Sequence, residues 1–258
     1  MNDKSYNLPE SCRNISLFWD KYSFLKFKND FSGKKRAGIV YEILDIVNKN
    51  LNELNELIER LKERRDSLQK KLKNQIIIDT NLRVKGRLLV GGGLPSITEV
   101  GMIFSRNYGL PVIPGPALKG CFSHYCKEKG IFNEREFKFV FGEDTSQQDE
   151  NVRGALLFLD AFPVKDLKFG LDVVNNHFQM YYSDGEIPND WYNPVPVTYI
   201  TVVSGVFRFT VVAVQKVDDN LIKEKFEEML ISYGIGAKTN YGYGRFEKTI
   251  KNDPSESS

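Results

Sequence analysis

The order of apolar segments in the second half of the chain limits its fold more than any other feature of the sequence. Short runs with the two-residue period of strands occur there beside longer segments with the 3.6-residue period of helices. The predicted order is strand 82–90, helix 116–129, strand 155–161, strand 205–214, helix 219–233 and strand 243–250, with a further short strand at 197–203. This is the split βαβ order of a ferredoxin-like α+β domain, in which two helices cover one face of an antiparallel sheet.

A narrow apolar seam marks residues 40–73. Apolar side chains recur there every three or four positions, without Gly or Pro, at Leu44, Val47, Leu51, Leu54, Ile58, Leu61, Leu68 and Leu72, and Arg65 interrupts them. The pattern predicts one helix of about 30 residues that packs on the core or on a neighbouring subunit. We therefore expect an N-terminal extension at 1–75, with an aromatic cluster at 18–31, the ferredoxin-like domain at 76–250, and a disordered tail at 251–258.

Composition excludes several classes of protein. Three cysteines and two histidines among 258 residues exclude a disulfide scaffold. Cys121, His124 and Cys126 are close in sequence but have no convincing fourth ligand, so we expect no metal and no cofactor. The first 14 residues contain no apolar core of a signal peptide. Polar residues interrupt the most apolar stretch, 195–214, and we expect a cytoplasmic protein without a membrane segment.

Charge is unevenly distributed along the chain. Residues 1–130 hold 23 basic and 14 acidic residues, whereas residues 131–200 hold 5 basic and 12 acidic ones. This asymmetry suggests a face that attracts anions. Solvated surface charge without a partner explains it equally well.

The strongest local motif is the glycine-rich segment 234–246, GIGAKTNYGYGRF. Its four glycines allow the backbone to approach a ligand closely, and successive N–H groups in such a loop can bind phosphate oxygens. Lys238 and Arg245 supply positive charge, and Tyr241 and Tyr243 offer rings on which bases could stack. The segment follows a helix and precedes a strand, the reverse of a dinucleotide-binding fingerprint. The alternative is a plain tight turn.

A second motif, PVIPGPALKG at 111–120, begins the first helix of the domain. Pro116 suits the first turn of that helix. Lys119 is a cation where acids are usually preferred, and no acid follows until Glu128. An anion bound at this helix end would explain the choice, and a lysine turned towards solvent is the alternative.

Together these two motifs resemble the RAMP superfamily of CRISPR-associated RNA-binding proteins. The segment 171–202 is similar to the family of the sixth subunit of the type III-B (Cmr) effector complex, in which a Leu-Asp stretch, a His and a Tyr-Tyr pair precede a Pro-Trp-Pro loop. Asn176 stands before His177 where that family often has proline. The resemblance covers about residues 82–249 and leaves out the long helix.

The resemblance implies an RRM-like RAMP domain with an N-terminal helical extension. It implies a non-catalytic subunit that binds the 3′ region of CRISPR RNA paired to target RNA and caps the backbone filament. The partners would be these RNAs, other Cmr RAMP subunits and the small helical subunit. The candidate RNA-binding residues are Lys119, Gly234, Gly236, Lys238, Thr239, Gly242, Gly244 and Arg245. Candidate RNA or subunit contacts are His177, Trp191, Tyr241 and Tyr243.

Other functions remain open at this point. A metal-independent endoribonuclease that processes CRISPR RNA precursors would use His124 or His177 as general acid or base. Asp160 and Asp172 would suit a metal-assisted nuclease, although surface or turn carboxylates are the simpler interpretation. A third alternative is a protein–protein cap without RNA contact.

Overall fold

The computed structural model describes residues 14–22, 33–49, 51–96, 98–143, 152–176, 185, 187 and 195–249. The predicted tail at 251–258, His177 and Trp191 lie outside these residues. No helix within the described ranges combines the length and the apolar composition that a bilayer-spanning segment needs.

The chain begins with a helical N-terminal region and continues with a part that contains both strands and helices. The helices are α1 Gly33–Lys49, α2 Leu51–Leu72, α3 Gly115–Glu128, α4 Glu134–Phe141 and α5 Asp219–Ser232. The strands are β1 Ile76–Lys85, β2 Gly142–Glu143, β3 Val152–Arg153, β4 Leu156–Phe158, β5 Phe162–Asn176, β6 Val195–Ala213 and β7 Arg245–Lys248. Short helical turns at Ile15–Leu17 and Phe18–Tyr22 precede α1, and a 3₁₀ turn at Thr239–Tyr241 precedes β7.

The main sheet has the strand order β4–β6–β1–β7, and each neighbouring pair is antiparallel. The first strand of the domain therefore lies between the last strand and the third, with the second strand at the edge. This order, with α3 and α5 as the two connecting helices, confirms the ferredoxin-like α+β fold. Strands β2 and β3 form a separate two-stranded ladder.

Aromatic side chains fill the core between the sheet and these two helices. Phe209 of β6 packs edge-to-face on Phe226 of α5 and on Phe246 of β7, with ring centroids 6.2 and 5.1 Å apart. Phe226 packs in turn on Phe122 of α3 at 5.4 Å. All four rings are fully buried, so the alternation of apolar residues along β6 and the periodicity of both helices meet in one apolar layer.

The central hairpin differs from the prediction. The sequence predicts two strands at 197–203 and 205–214, but the structure has one strand, β6, which continues through Gly205 and ends at Ala213. Strand β5 was not predicted, because Lys165, Asp166 and Lys168 break the apolar alternation in its first half. Its register runs from Phe162 opposite Arg208 to Asn176 opposite Val195, so β5 and β6 form a long antiparallel ribbon beyond the ferredoxin-like core.

The N-terminal helices pack on the body of the protein. Ile39, Ile43, Val47, Leu54 and Ile58 are buried in the main core, so this part of the seam faces inward. Helices α1 and α2 together cover most of the predicted helix at 40–73, and Asn50 between them lies outside the described residues. Phe18 and Trp19 of the aromatic cluster are also buried.

Helix α2 lies on the face of the sheet opposite to α3 and α5, and Arg208 of β6 connects the helix to the sheet. This arginine lies on the opposite face of β6 from Phe209 and donates to Asp66 and Gln69 of α2 and to both carboxylate oxygens of Asp79 on β1, the latter at 2.8 and 2.9 Å. Burial opposes ionisation of Asp79, but the hydrogen bonds and charge of Arg208 outweigh it and lower the pKa of that carboxyl below its usual value.

Candidate functional site

The glycine-rich loop, residues 234–244, connects α5 to β7. Its residues with positive φ angles are Gly234, Gly236, Lys238, Gly242 and Gly244. A Cβ atom on Gly236 would lie 2.5 Å from the Leu89 carbonyl oxygen, and one on Gly244 would collide with the Ile235 carbonyl. The loop therefore has a backbone conformation that requires glycine at these two positions.

Most backbone N–H groups of this loop donate within the protein. The donors engaged in this way belong to Gly234, Ile235, Ala237, Tyr241, Gly242, Tyr243 and Gly244. The N–H groups of Gly236, Lys238, Thr239 and Asn240 donate to no backbone carbonyl in the described part of the chain. Free amide donors are thus confined to the middle of the loop, a smaller group than the glycine spacing alone suggested.

A cluster of polar side chains fixes the loop against the β5–β6 ribbon. Asp172 of β5 and Tyr199 of β6 are register partners. The hydroxyl of Tyr243 donates to Asp172, and Nζ of Lys238 donates to the hydroxyl of Tyr199 at 2.6 Å. The Lys238 ammonium also lies 4.4 Å from the centre of the Tyr199 ring, a distance at which cations are attracted to aromatic faces. Lys238 is therefore held by the ribbon, and only part of its side chain reaches solvent.

Arg87 extends the same cluster from the turn after β1. Its Nε lies 3.2 Å from Oδ2 of Asp172, and its Nη1 donates to the Leu171 carbonyl and to the Thr201 hydroxyl at 2.9 and 3.0 Å. The backbone of the turn is joined to the loop as well, because the N–H of Gly244 donates to the Arg87 carbonyl at 2.7 Å. Asp172 thus has two side-chain partners, Tyr243 and Arg87, and lies within strand β5.

The turn and the loop together present a basic surface. We call Arg83, Lys85, Arg87, Lys238 and Arg245 the basic junction. Arg83 pairs with Asp166 at 2.9 Å, and Arg87 pairs with Asp172 as described above. Lys85 and Arg245 are exposed, lie directly opposite each other in the β1–β7 ladder, and have no carboxylate within salt-bridge distance among the described residues.

Three members of the basic junction were not among the predicted site residues. Arg83, Lys85 and Arg87 alternate with Leu82, Val84 and Leu88 in the predicted first strand. That alternation was a visible signal, because side chains two apart share a face of a strand. What the sequence did not reveal is that this face meets the glycine-rich loop through the β1–β7 pairing.

Lys119 lies apart from the loop contacts just described. It is partly exposed in the first turns of α3, and α3 contacts the loop through the Cys121 thiol, which donates to the Gly234 carbonyl at 3.5 Å. The first N–H group of α3, at Gly115, donates to Oδ1 of Asp160 at 2.8 Å. The first N–H group of this helix thus has a carboxylate of the chain itself as its acceptor, whereas the sequence motif suggested a bound anion.

The remaining predicted site residues differ in accessibility. Tyr241 is 84% exposed, so its ring is free to stack. His124 is exposed on α3 with Nε2 3.8 Å from Glu128, whereas Cys126 is fully buried and burial raises the pKa of its thiol to about 12. Within the described ranges, no three His, Cys, Asp or Glu side chains converge in a way that could hold a metal ion.

Comparisons with known proteins agree with this architecture. The family model of the RAMP superfamily matches residues 81–247. The CRISPR system Cmr subunit Cmr6 of Pyrococcus furiosus is 29% identical over an alignment 234 residues long, with 67% of this chain and 68% of that protein covered. A chain in the cryo-EM structure of the Type III-B Cmr-beta complex bound to cognate target RNA is 25% identical and has a TM-score of 0.61, with 88% of this chain and 80% of that chain covered.

These similarities confirm the resemblance inferred from the two motifs. The matched region begins in β1 and ends in β7, so it spans the ferredoxin-like domain from its first strand to its last, with the glycine-rich loop. Because the family model spans more than half of the sequence, the chain belongs to the RAMP superfamily.

Proposed function

We propose that this chain is a non-catalytic RNA-binding subunit of a type III-B CRISPR (Cmr) effector ribonucleoprotein. The observation that carries the proposal is the pair Lys85 and Arg245, two opposed cations without carboxylate partners in the described part of the chain, beside the free amides of the glycine-rich loop. The similarity to Cmr6 and to a chain of a Cmr complex bound to target RNA supports it.

The basic junction suits the sugar–phosphate backbone of RNA. Lys85 and Arg245 would neutralise phosphates, and the N–H groups of Gly236, Lys238, Thr239 and Asn240 would donate to phosphate oxygens. Contacts of this kind position a nucleic acid without reading its sequence, so sequence recognition would be left to pairing between guide and target. The exposed ring of Tyr241 would stack on a base.

Lys238 would contribute to RNA binding mainly through the loop conformation that its backbone supports, and less through its ammonium group. Its ammonium is bound to Tyr199, while its backbone, with a φ angle of 60°, shapes the middle of the loop. Lys119 at the partly exposed start of α3 remains a proposed RNA contact, and His177 and Trp191, outside the described residues, remain proposed RNA or subunit contacts.

The finer assignment concerns the place of the subunit in the complex. We infer that it binds the 3′ region of CRISPR RNA paired to target RNA, caps the backbone filament, and contacts other Cmr RAMP subunits and the small helical subunit in the cytoplasm. The domain, 76–250, would hold the RNA, and the extension, 1–75, would support it through the buried parts of α1 and α2.

The test compares RNA contact with RNA cleavage. Purified protein is incubated in EDTA with repeat RNA and, separately, with a 3′ guide fragment paired to its complement, followed by ultraviolet crosslinking and peptide mapping. We expect adducts on residues 83–87 or 236–245 and intact RNA. A defined cleavage product would favour the endoribonuclease, and the absence of adducts on both segments would favour a protein–protein cap.

A further inference from the structure

A cleft of about 710 Å³ lies between helix α2, the loop 105–112 and the start of β5. Its apolar lining consists of Leu61, Leu68, Val112, Phe158, Leu159 and Phe162. No residue of the basic junction contributes to it. The cleft is thus a second feature of the surface, separate from the proposed RNA site.

Three cations of α2 line the cleft: Arg64, Arg65 and Lys71. Arg64 and Lys71 are exposed, and no carboxylate in the described part of the chain lies within salt-bridge distance of either. Arg64 donates to the Tyr108 hydroxyl at 2.7 Å, which turns its guanidinium towards the loop across the cleft. Asp160 is the acid of the lining, and one of its carboxylate oxygens already accepts from Gly115. The cleft therefore carries an excess of positive charge.

Arg65 lies deeper in the cleft than Arg64 and Lys71, and the hydrogen-bond donors of its guanidinium are only partly paired. Its Nη2 donates to the Asp160 carbonyl at 3.0 Å, and its guanidinium lies 4.9 Å from the centre of the Phe162 ring. Its Nη1 is enclosed and has no acceptor among the described residues, although buried donors in proteins are nearly always paired. Burial and the neighbouring Arg208 lower the pKa of this arginine. An anion bound nearby would stabilise its charge.

The apolar seam of the N-terminal helices continues into this cleft. Val47, Leu54 and Ile58 are buried in the main core, but Leu61 and Leu68 line the cleft, and Leu68 is 40% exposed. On the same helix, Arg64 and Lys71 each follow a leucine of the seam by three positions. The second half of α2 thus offers an apolar strip with cations beside it.

We propose that this cleft docks an acidic, amphipathic segment of a neighbouring protein subunit. Apolar side chains of the segment would pack on Leu61 and Leu68, and its carboxylates would pair with Arg64 and Lys71, the arrangement by which amphipathic helices occupy grooves with complementary charge. RNA fits less well, because the leucine and valine side chains of the lining offer no ring for base stacking and the Phe162 ring is already covered by Arg65. That the partner is a subunit of the same complex rests on the proposed function, whereas the docking chemistry does not.

The first experiment uses the full chain and a fluorescein-labelled peptide of leucine and glutamate, about 16 residues long, with leucine at helical spacing. The double substitution Arg64→Glu with Lys71→Glu should weaken binding of this peptide about tenfold or more. Arg60→Glu with Lys70→Glu, two exposed positions of α2 that do not line the cleft, is the matched control and should bind as the parent does. Leu68→Ala, at an exposed site that should not impair folding, should also weaken binding.

Equal binding to both double variants overturns the proposal, as does a peptide that does not bind the parent chain. If a short oligouridine in place of the peptide loses affinity on Arg64→Glu with Lys71→Glu, while the peptide does not, the cleft is an RNA site. A Lys85→Ala with Arg245→Ala variant should lose RNA affinity and keep the peptide. Failure of the proposed RNA function is thereby distinguished from failure of the docking proposal.

The second experiment reads the partner in the assembled particle. Native mass spectrometry of complexes co-expressed with the other subunits should show loss of one protein subunit in the Arg64→Glu with Lys71→Glu variant, with the bound RNA retained. A complete particle with that variant, or simultaneous loss of RNA and all protein neighbours, contradicts a dedicated docking cleft.

Discussion

Lys85 of β1 and Arg245 of β7 lie directly opposite each other across an antiparallel ladder. Both side chains are exposed, and neither has a carboxylate partner among the described residues. Like charges in directly opposed positions destabilise a sheet. Phosphates bound to both cations, as proposed above, would offset this repulsion.

Substitution of Lys85 by glutamate separates the two effects. Lys85→Glu would pair with Arg245 and raise the free energy of unfolding by about 0.2–1 kcal/mol. It should weaken RNA binding and reduce the slope of log K against log salt by about one unit, because a phosphate contact is lost. Thermal unfolding and binding at several salt concentrations measure both quantities. Lys223→Glu, exposed on α5 at the other face of the sheet, should leave RNA binding unchanged, and unaltered RNA affinity in Lys85→Glu would count against the basic junction.

Two glycines should respond to alanine with opposite signs. Gly244→Ala places a Cβ against the Ile235 carbonyl at a residue with a φ angle of 68°, so we expect a loss of about 1–3 kcal/mol or more in the free energy of unfolding. Gly120 lies inside α3 with open space around it, and Gly120→Ala should stabilise the protein by about 0.5–1 kcal/mol. Urea unfolding of both variants is the measurement, and equal effects would contradict the described loop geometry.

The two tyrosines of the loop should have separate roles. Tyr243→Phe removes the donor to Asp172 and should lower the free energy of unfolding by about 1 kcal/mol. Tyr241→Phe, at an exposed ring, should change neither stability nor RNA binding. Tyr241→Ala should weaken binding of single-stranded RNA by about 1–3 kcal/mol if the ring stacks on a base. Unfolding curves and RNA titrations of the three variants test this division of roles. A Tyr243→Phe protein as stable as the parent would show that the hydrogen bond to Asp172 contributes little to the free energy of unfolding.

Because of the Arg208–Asp79 pair, the free energy of unfolding should depend on pH. The folded state lowers the pKa of Asp79, so this carboxylate contributes stability that is fully present above its unfolded pKa of about 4. The contribution is lost as the pH falls through the lower folded value. Asp79→Asn should therefore reduce the free energy of unfolding at neutral pH by about 1–2 kcal/mol. This is the lower part of the range for hydrogen bonds to charged groups, because the Asp79 side chain is 34% exposed and solvent screens the interaction.

Urea unfolding at neutral and at acid pH compares Asp79→Asn with Asp45→Asn. Asp45 forms an exposed ion pair with Lys49 on α1, a type of contact worth about 0–1 kcal/mol. The difference in stability between the parent and Asp79→Asn should shrink at acid pH, whereas Asp45→Asn should resemble the parent at both. A difference between the parent and Asp79→Asn that is constant with pH would show that Asp79 is not held ionised by Arg208.

Much of the candidate site was visible in the sequence as separate parts. Gly234, Gly236, Gly242 and Gly244 identified the loop, and the alternation in 82–90 contained Arg83, Lys85 and Arg87. Neither pattern indicated that the two segments adjoin, because strand pairing between residues more than a hundred positions apart leaves no local periodicity. The contact between Asp160 and the start of α3 could not be predicted for the same reason, since the carboxylate and the Gly115 amide are 45 positions apart.

By itself the sequence determined the order of the six strands and helices of the ferredoxin-like core, the helical character within residues 40–73 and the location of the glycine-rich loop, because each depends on local periodicity and backbone freedom. Only the tertiary structure decided that β5 joins β6 in a long ribbon, that Lys238 binds Tyr199, and that Leu61 and Leu68 line a cleft. Those outcomes depend on register and packing between distant segments, where the free energy of burial and ion pairing is shared among residues that no short window of sequence contains.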